Sequence, residues 1–378
     1  MSEWKDGKFI DIAEILMGQS PSGETCNSLG VGIALLNGPT EFGVKKPMAV
    51  QFTIDPRKIS QPNDILFCVR GSTTGKMNWS DKEYAIGRGL AAIRHKNGNE
   101  YKSFLRGVID YNLPLLLASA TGSTFPNISK SQLEELEISI PPLPEQHSIA
   151  SLLSSLDDKI DLLHCQNATL EAMAETLFRQ WFVEEAKEDW ETKSLSSIAD
   201  FLNGLACQKF LPKNDLEKLP VLKIKDLGSG ITENSDWAST DVKPEYIIKN
   251  GDVIFAWSAS LMVKIWNGDN CILNQHLFKV TSSVYPKWYY YLWCKYHLEE
   301  FIAKAASHAT TMGHIKRGDL DEAMVLVPSK NEFKEMTFTI QPIMDKLIIN
   351  NNQIRTLTTL RDTLLPKLIS GEVRISES

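Results

Sequence analysis

The sequence predicts an α+β chain built as a tandem repeat. Two similar mixed α/β domains are each followed by a long helix, and the helices pair antiparallel as a coiled coil under pseudo-twofold symmetry. Three observations predict this. Residues recur at a nearly constant offset of 186 to 188. Short β-like runs separated by turn residues fill the first part of each copy. A sustained 4-3 apolar spacing fills the rest.

The recurrence is specific. Trp4, Ile12, Ala13 and Gly18 return as Trp190, Ile198, Ala199 and Gly204, and "NDILF" (63–67) returns as "GDVIF" (251–255). Leu90 and Ile93 match Leu277 and Val280, while Leu133, Ile140 and Pro141 match Leu320, Val327 and Pro328. Self-similarity at one period over half the chain marks a duplicated module. The expected boundaries are a first domain at 1–142, a long helix at 143–186, a second domain at 187–329, and a second long helix with its tail at 330–378.

Within the first domain, "DILFCV", "GLAAIR" and "LEISIP" read as strands. Pro141, Pro142 and Pro144 force an extended approach, and Pro144 fits a first helical turn because its missing N–H is an orphan there anyway. Glu145 then favours the positive end of the helix. From there Ile149, Leu153, Leu156, Ile160, Leu163, Asn167, Leu170, Ala174, Leu177 and Trp181 keep 4-3 spacing. In copy two the seam runs Met336, Ile340, Ile343, Leu347, Asn350, Ile354, Leu357, Arg361, Leu364 and Leu368. Antiparallel pairing about the midpoints puts Asn167 in one layer with Asn350, a buried polar pair that fixes register and orientation. It also brings Arg361 beside Leu156, an imperfection in the seam. Two amphipathic helices, each packed on its own domain, are the simpler alternative.

Composition is that of a globular chain, 43% hydrophobic and 23% charged, with no apolar run near the roughly 20 residues of a membrane span. "MSEWKDGKFI" lacks a charged segment leading into an apolar one, so no secretion signal is expected. Six scattered cysteines without a close pair argue for reduced thiols in the cytoplasm, and against a disulfide framework or a zinc site. The net charge of −7 hides its distribution. Leu143 to Asp189 holds three basic and ten acidic residues, whereas Lys45 to Arg106 holds twelve basic and five acidic. That basic span is an electrostatic footprint for nucleic acid. Lys209 to Arg317, with fourteen basic and eleven acidic residues, predicts weaker and less salt-dependent binding by the second domain.

"VRGSTTGKMNW" (69–79) imitates a phosphate loop, but three residues separate its glycines where four are needed, and Met77 follows Lys76 where a hydroxyl is needed. Its counterpart "WSASLMVKIW" (257–266) has no glycine. A turn between strands, with tips that differ between copies, fits better. Lys76 and Lys264 are candidate phosphate contacts, and Arg70, Ser72, Thr73, Asn78, Ser258, Ser260 and Trp266 are candidates for sugars or base edges. "GRGL" (87–90) and "NQHL" (274–277) add Arg88 and Gln275; "TGSTFPNIS" (121–129) and "ATTMGHIKR" (309–317) add Thr124, Thr311, Lys316 and Arg317. Lys45, Lys46, Lys223 and Lys225 complete the basic candidates. His308 and His314 have no cysteine or carboxylate at ligand spacing, so no metal is expected. "NLPLLL" (112–117) matches the motif of DNA amino-methyltransferases only at two positions and lacks a cofactor loop. The residues offer recognition surfaces and no catalytic set. A symmetric two-domain adaptor for proteins, and a nucleotide enzyme with a degraded loop, are the alternative classes.

"IPPLPEQHSIASLLSSLDDKID" followed by "LFRQWFVEE" resembles the central conserved region of the specificity subunit of type I restriction–modification systems, and "LRDTLLPKLISGEV" (360–373) resembles its distal one. The resemblance covers the whole chain. It implies two target-recognition domains, each binding one half of an interrupted sequence in double-stranded DNA, held apart by antiparallel helices. It implies no catalysis and no cofactor on this chain. The partners implied are two modification (methyltransferase) subunits and restriction (translocase and nuclease) subunits, which bring S-adenosylmethionine, ATP and magnesium. A seam of 33 residues from Ile149 to Trp181 is about 50 Å long at 1.5 Å per residue, enough for roughly one to one and a half turns of DNA.

Overall fold

The computed structural model describes residues 4–43, 46–121, 126–307 and 313–375. The chain forms two compact units, Met1–Lys159 with Leu357–Ser378, and Ile160–Thr356.

In the first unit a four-stranded antiparallel sheet runs in the order Ala13–Met17, Leu90–His95, Ile65–Cys68, Met77–Trp79. The residues of Ile65–Cys68 are all buried, because the strand is covered on both faces. Ile65 and Phe67 face a core with the helix Lys102–Ser119 and the first long helix, while Leu66 and Cys68 face a second core. A strand covered on both sides reads as a continuous apolar run, which is why "DILFCV" shows no alternation. The second core lies under a five-stranded sheet in which Ile33–Leu36 and Tyr84–Ile86 pair in parallel. A short ribbon of Lys5–Lys8 with Glu137–Ile140 closes the unit.

The second unit repeats this plan. Its four-stranded sheet has the order Asp200–Asn203, Leu277–Thr281, Val253–Ala256, Met262–Ile265, and its ribbon pairs Glu191–Ser194 with Met324–Val327. Lys218–Leu222 and Cys271–Leu273 form the matching parallel pair. Val253 and Phe255 face one core and Ile254 and Ala256 another, the same division as in the first unit. The repeat seen in the sequence is a repeat of topology.

The long helices span Leu143–Arg179 and Lys330–Ile369. In the second unit Asn350 Nδ2 donates to Asn167 Oδ1 at 3.0 Å, and Asn167 Nδ2 donates to Asn351 Oδ1 at 2.7 Å. In the first unit Arg361 Nη1 bonds Asp157 Oδ1 at 2.9 Å. Both pairings have the antiparallel sense. The imperfection beside Leu156 is therefore an ion pair, its guanidinium turned to the next residue along. The seam departs from its expected line at the end of the first helix. Phe178 and Phe182 are buried there, while Leu177 and Trp181 are only half-buried. The departure begins at Phe178, ahead of a wide π-type turn at Gln180–Glu184, and Phe178 and Phe182 enter the aromatic core of the domain.

Each helix start is anchored alike. Trp4 Nε1 donates to Glu145 Oε2 at 3.0 Å, and Trp190 Nε1 donates to Glu332 Oε2 at 3.1 Å. The cation differs: Arg374 grips Glu145 in bidentate fashion (2.6 and 2.8 Å) and lies over the Trp4 ring, while Lys187 pairs with Glu332. Lys187 and Arg374 are themselves 187 residues apart, so the repeat continues past the end of the second helix.

Candidate nucleic-acid interface

Two glycines at matching positions set up the loops. After the strand Ala13–Met17 the chain crosses the Gly87–Leu90 turn, with Gly18 N bonded to Leu90 O (2.9 Å) and Gln19 N to Ile86 O (2.9 Å). A Cβ on Gly18 would fall 2.2 Å from Gly87 O. In copy two Gly204 N bonds Leu277 O (3.1 Å), Leu205 N bonds Leu273 O (2.9 Å), and a Cβ on Gly204 would fall 2.2 Å from Asn274 O. Only glycine permits this approach.

Below the crossing lies a β-turn, closed by Leu90 N to Gly87 O (3.1 Å) in copy one and by Leu277 N to Asn274 O (2.9 Å) in copy two. Arg88 and Gln275 occupy its second position. Gly87 and Gly89 press on Asn37, where added Cβ atoms would meet Asn37 atoms at 2.5 and 2.4 Å, so Arg88 is the one side chain this turn displays. Copy two carries Asn274, Gln275 and His276 instead.

The turn is fastened to a hairpin tip. Val69 N bonds Gly89 O (2.9 Å), and Trp257 N bonds His276 O (3.3 Å). Strands Ile65–Cys68 and Met77–Trp79 pair antiparallel across the first tip, and Val253–Ala256 and Met262–Ile265 across the second. A strand, not a helix, follows each loop, so neither supplies the helix N-terminus that a phosphate loop needs. Each tip also bonds the segment before the ribbon: Gly71 N to Pro126 O (3.2 Å) and Ala259 N to Gly313 O (2.8 Å). Ala259 holds φ 56°, a left-handed conformation that glycine takes at Gly71 (φ 98°). Turn, tip and following segment thus form one continuous edge in each copy.

In copy one, Arg70, Ser72, Lys76 and Arg88 are exposed on this edge, with Thr73 half-buried. Arg70 Nε donates to Asn127 Oδ1 at 3.3 Å. Lys46 is exposed, 3.9 Å from Asp81. Asn78 faces inward, bonded to Gly43 O (2.9 Å) and to Trp79 N (2.7 Å). Lys45, Thr124 and Thr311 lie outside the described residues.

In copy two, Lys223, Lys225 and Gln275 come together around one pocket of about 320 Å³ with Gln208, Asn274 and His276. Lys223 bonds Asp236, which holds that carboxyl below the usual range, and Lys225 Nζ bonds Asn234 O (3.4 Å). Ser260, Lys316 and Arg317 are exposed; Arg317 Nη2 is 3.5 Å from Phe201 O. Ser258 is buried, its Oγ 3.1 Å from His276 Nδ1. Trp266 is buried too, donating to Asp269 O at 3.0 Å. Lys264 sits apart, bonded to Gly228 O (3.3 Å) beside a different pocket. Asn78, Ser258 and Trp266 are accordingly structural in this arrangement, because their polar groups are already engaged inside the protein.

Sequence reasoning missed Ser20, Asn37 and Gln51, which line a pocket of about 430 Å³ in copy one, and Gln208, Asn274 and His276 in copy two. The two pockets share a repeat position, Asn37 with Lys223, each the residue after the strand of the parallel pair. The available signal was the repeat itself, which puts both sets beside the Gly18 and Gly204 crossings. Next to Gln208, burial pushes the Cys207 thiol up to about 11, so it is no thiolate at neutral pH. Among the described residues no cluster of three or more His, Cys, Asp or Glu side chains is placed to hold a metal, and no helix is long and apolar enough to cross a membrane. Rigid backbone turns that display guanidinium, ammonium, amide and hydroxyl groups can present hydrogen bonds to phosphates and base edges.

Comparison with known proteins bears on both copies. A family model described as "Type I restriction modification DNA specificity domain" matches residues 1–172 and 187–359. The chain is 30% identical over 283 residues to the specificity subunit of the type I restriction enzyme MjaIX of Methanocaldococcus jannaschii, an alignment covering 68% of this chain and 65% of that one. This chain thus spans just under two thirds of that relative's length. To the MjaVIII specificity subunit of the same organism it is 23% identical over 407 residues, covering 99% of this chain and 93% of the relative. Its fold resembles the crystal structure of a type I restriction–modification S subunit from M. genitalium, with a TM-score of 0.60 at 18% identity over 97% of this chain and 96% of that one.

Proposed function

Since the chain belongs to the type I restriction–modification DNA specificity family, we propose that it is the non-catalytic sequence-reading subunit of such a complex in the cytoplasm. The domain within 1–142 reads one half of an interrupted site in double-stranded DNA, and the domain within 187–329 reads the other. The observation that carries this reading is the matched pair of loop edges: one backbone plan, used twice, with different polar side chains at Arg88 and Gln275 and around the two pockets. Two similar scaffolds with different tips suit two different half-sites.

The long helices serve as spacer and as docking surface for two modification subunits. Exposed apolar side chains recur along them at the repeat period, Leu162 with Ile349 and Met173 with Leu360. A surface that occurs twice fits a partner present twice. Restriction subunits join for cleavage, and S-adenosylmethionine, ATP and magnesium belong to those partners. Co-expression with the modification subunit of the same genome, followed by mapping of methylated adenines, tests the proposal. The expected result is an interrupted motif with one methylated adenine per half, and exchange of residues 1–142 rewrites one half only. A stable complex that leaves DNA unmethylated counts against it and favours a protein-binding adaptor.

A further inference from the structure

We infer that Arg88 reads a guanine in the first half-site and that Gln275 reads an adenine in the second; this rests on the DNA-recognition reading above. Both residues stand at the second position of the same β-turn, and both turns are held on two sides by backbone bonds. The Gly18 or Gly204 crossing fixes one side, and the bond from Val69 or Trp257 fixes the other. Backbone this constrained aims a side chain without loop ordering on binding.

The chemistry of the two side chains then selects the base. Arg88 is exposed between two glycines, and its own N–H is tied to Ser20 Oγ at 3.3 Å. A guanidinium has only donors, arranged as a fork, and guanine alone offers two acceptors, O6 and N7, side by side in the major groove. Gln275 is held differently. Its N–H bonds Leu205 O at 2.8 Å, and its Nε2 lies 3.3 Å from His276 Nε2. His276 Nδ1 lies 3.1 Å from the buried Ser258 Oγ. With the amide donating, His276 accepts at Nε2 and carries its proton at Nδ1, which it donates to Ser258. That arrangement gives both imidazole nitrogens a partner, and Gln275 keeps one N–H and its carbonyl oxygen open. An adjacent donor and acceptor complement adenine N7 and N6. Ser258 and His276 are positioning residues here; they orient the amide and touch no base.

The test uses the assembled complex with its modification subunit and reads methylation motifs genome-wide. The half belonging to residues 1–142 is identified first by domain exchange. That half should contain a G:C pair, and Arg88→Ala should relax it alone, by about 10- to 100-fold in methylation of sites differing at that position. Arg88→Lys, which keeps the charge and loses the fork, should relax the same position. Gln275→Ala should relax one A:T pair in the other half. His276→Phe should relax that same pair while leaving Gln275 in place. In each variant the untouched half of the motif reports that the fold is intact. A motif lacking G:C in the first half or A:T in the second overturns the assignment, as does loss spread evenly over all positions, which marks a phosphate contact. A wild-type complex that methylates without sequence preference overturns the DNA-recognition reading itself, which the variants alone do not.

Discussion

Asp64 supports the strand that carries the first loop edge, and its removal has a calculable cost. The carboxylate is almost fully buried and accepts Arg94 Nε at 2.9 Å, Arg94 Nη2 at 2.8 Å and the Gln61 N–H at 2.7 Å. Arg94 is itself largely buried, and its other acidic neighbour, Glu14 at 3.8 Å, is exposed to water. Asp64→Ala therefore strands a buried guanidinium, at a cost of about 3–5 kcal/mol. For a unit of this size each kcal/mol lowers the midpoint by roughly 2–4 °C, so calorimetry should show a fall of about 6–20 °C. The cost belongs to the stranded charge more than to the lost bonds. Asp64→Leu combined with Arg94→Met should consequently recover most of the loss. Burial, the largest influence, raises the Asp64 carboxyl above its usual range against the pull of Gln61 and Arg94. A folded-state value raised in this way means that the charged form costs the fold, so acidification removes no stability through this group. A single mutant that loses less than about 1 kcal/mol, or a double mutant no better than the single, refutes the reasoning.

Two further perturbations separate scaffold from reading surface. Gly204→Ala puts a Cβ 2.2 Å from Asn274 O and must displace the turn that bears Gln275; methylation mapping should show the second half of the motif degraded and the first half intact, and an unchanged motif excludes a role for the crossing. Glu332 has its carboxyl held down to about 2, first by the Lys187 bond and then by Ser329. Its folded value is depressed, so its stabilisation is present above about 4.5 and is lost as the pH falls toward 2. Carbon-13 titration of Glu332 should follow that range, and Lys187→Met should move the midpoint up toward 4.5; a wild-type midpoint already at 4.5 contradicts the anchor.

The scaffold was legible because packing repeats what it needs. Leu90, Ile93, Leu277 and Val280 are core positions in matching strands, and a buried methyl is costly to change. The same holds for Gly18 and Gly204, where backbone fills the space a side chain would take. The candidate reading residues carry no such constraint. Asn78, Ser258 and Trp266 look like Arg70 or Gln275 in composition, yet face inward, because the side of a strand or tip that a side chain takes depends on local register. Trp266 sits at the end of Met262–Ile265 and fills a core, donating its indole N–H to Asp269 O. No offset or spacing in the sequence distinguishes it from a tip that stacks on a base.

The anchors illustrate an intermediate case, legible in part. Trp4 and Trp190 recur visibly, and Glu145 and Glu332 open the two helices, but the third member is hidden by the linear chain. Lys187 follows the first long helix and Arg374 follows the second, so a comparison that stops at the helix ends pairs neither with the other. Extending the offset of 187 past the second helix recovers them. The cation that follows each long helix then closes on the carboxylate that begins the helix partner: Lys187 on Glu332, Arg374 on Glu145. The first unit is completed by Leu357–Ser378 from the other end of the sequence, whereas the second, Ile160–Thr356, is one continuous stretch, so the anchor repeats although the chain connectivity does not. Such a scaffold leaves its two loop edges free to diverge, because the anchors, the seam and the sheet order are built from residues other than those the β-turns at Arg88 and Gln275 display.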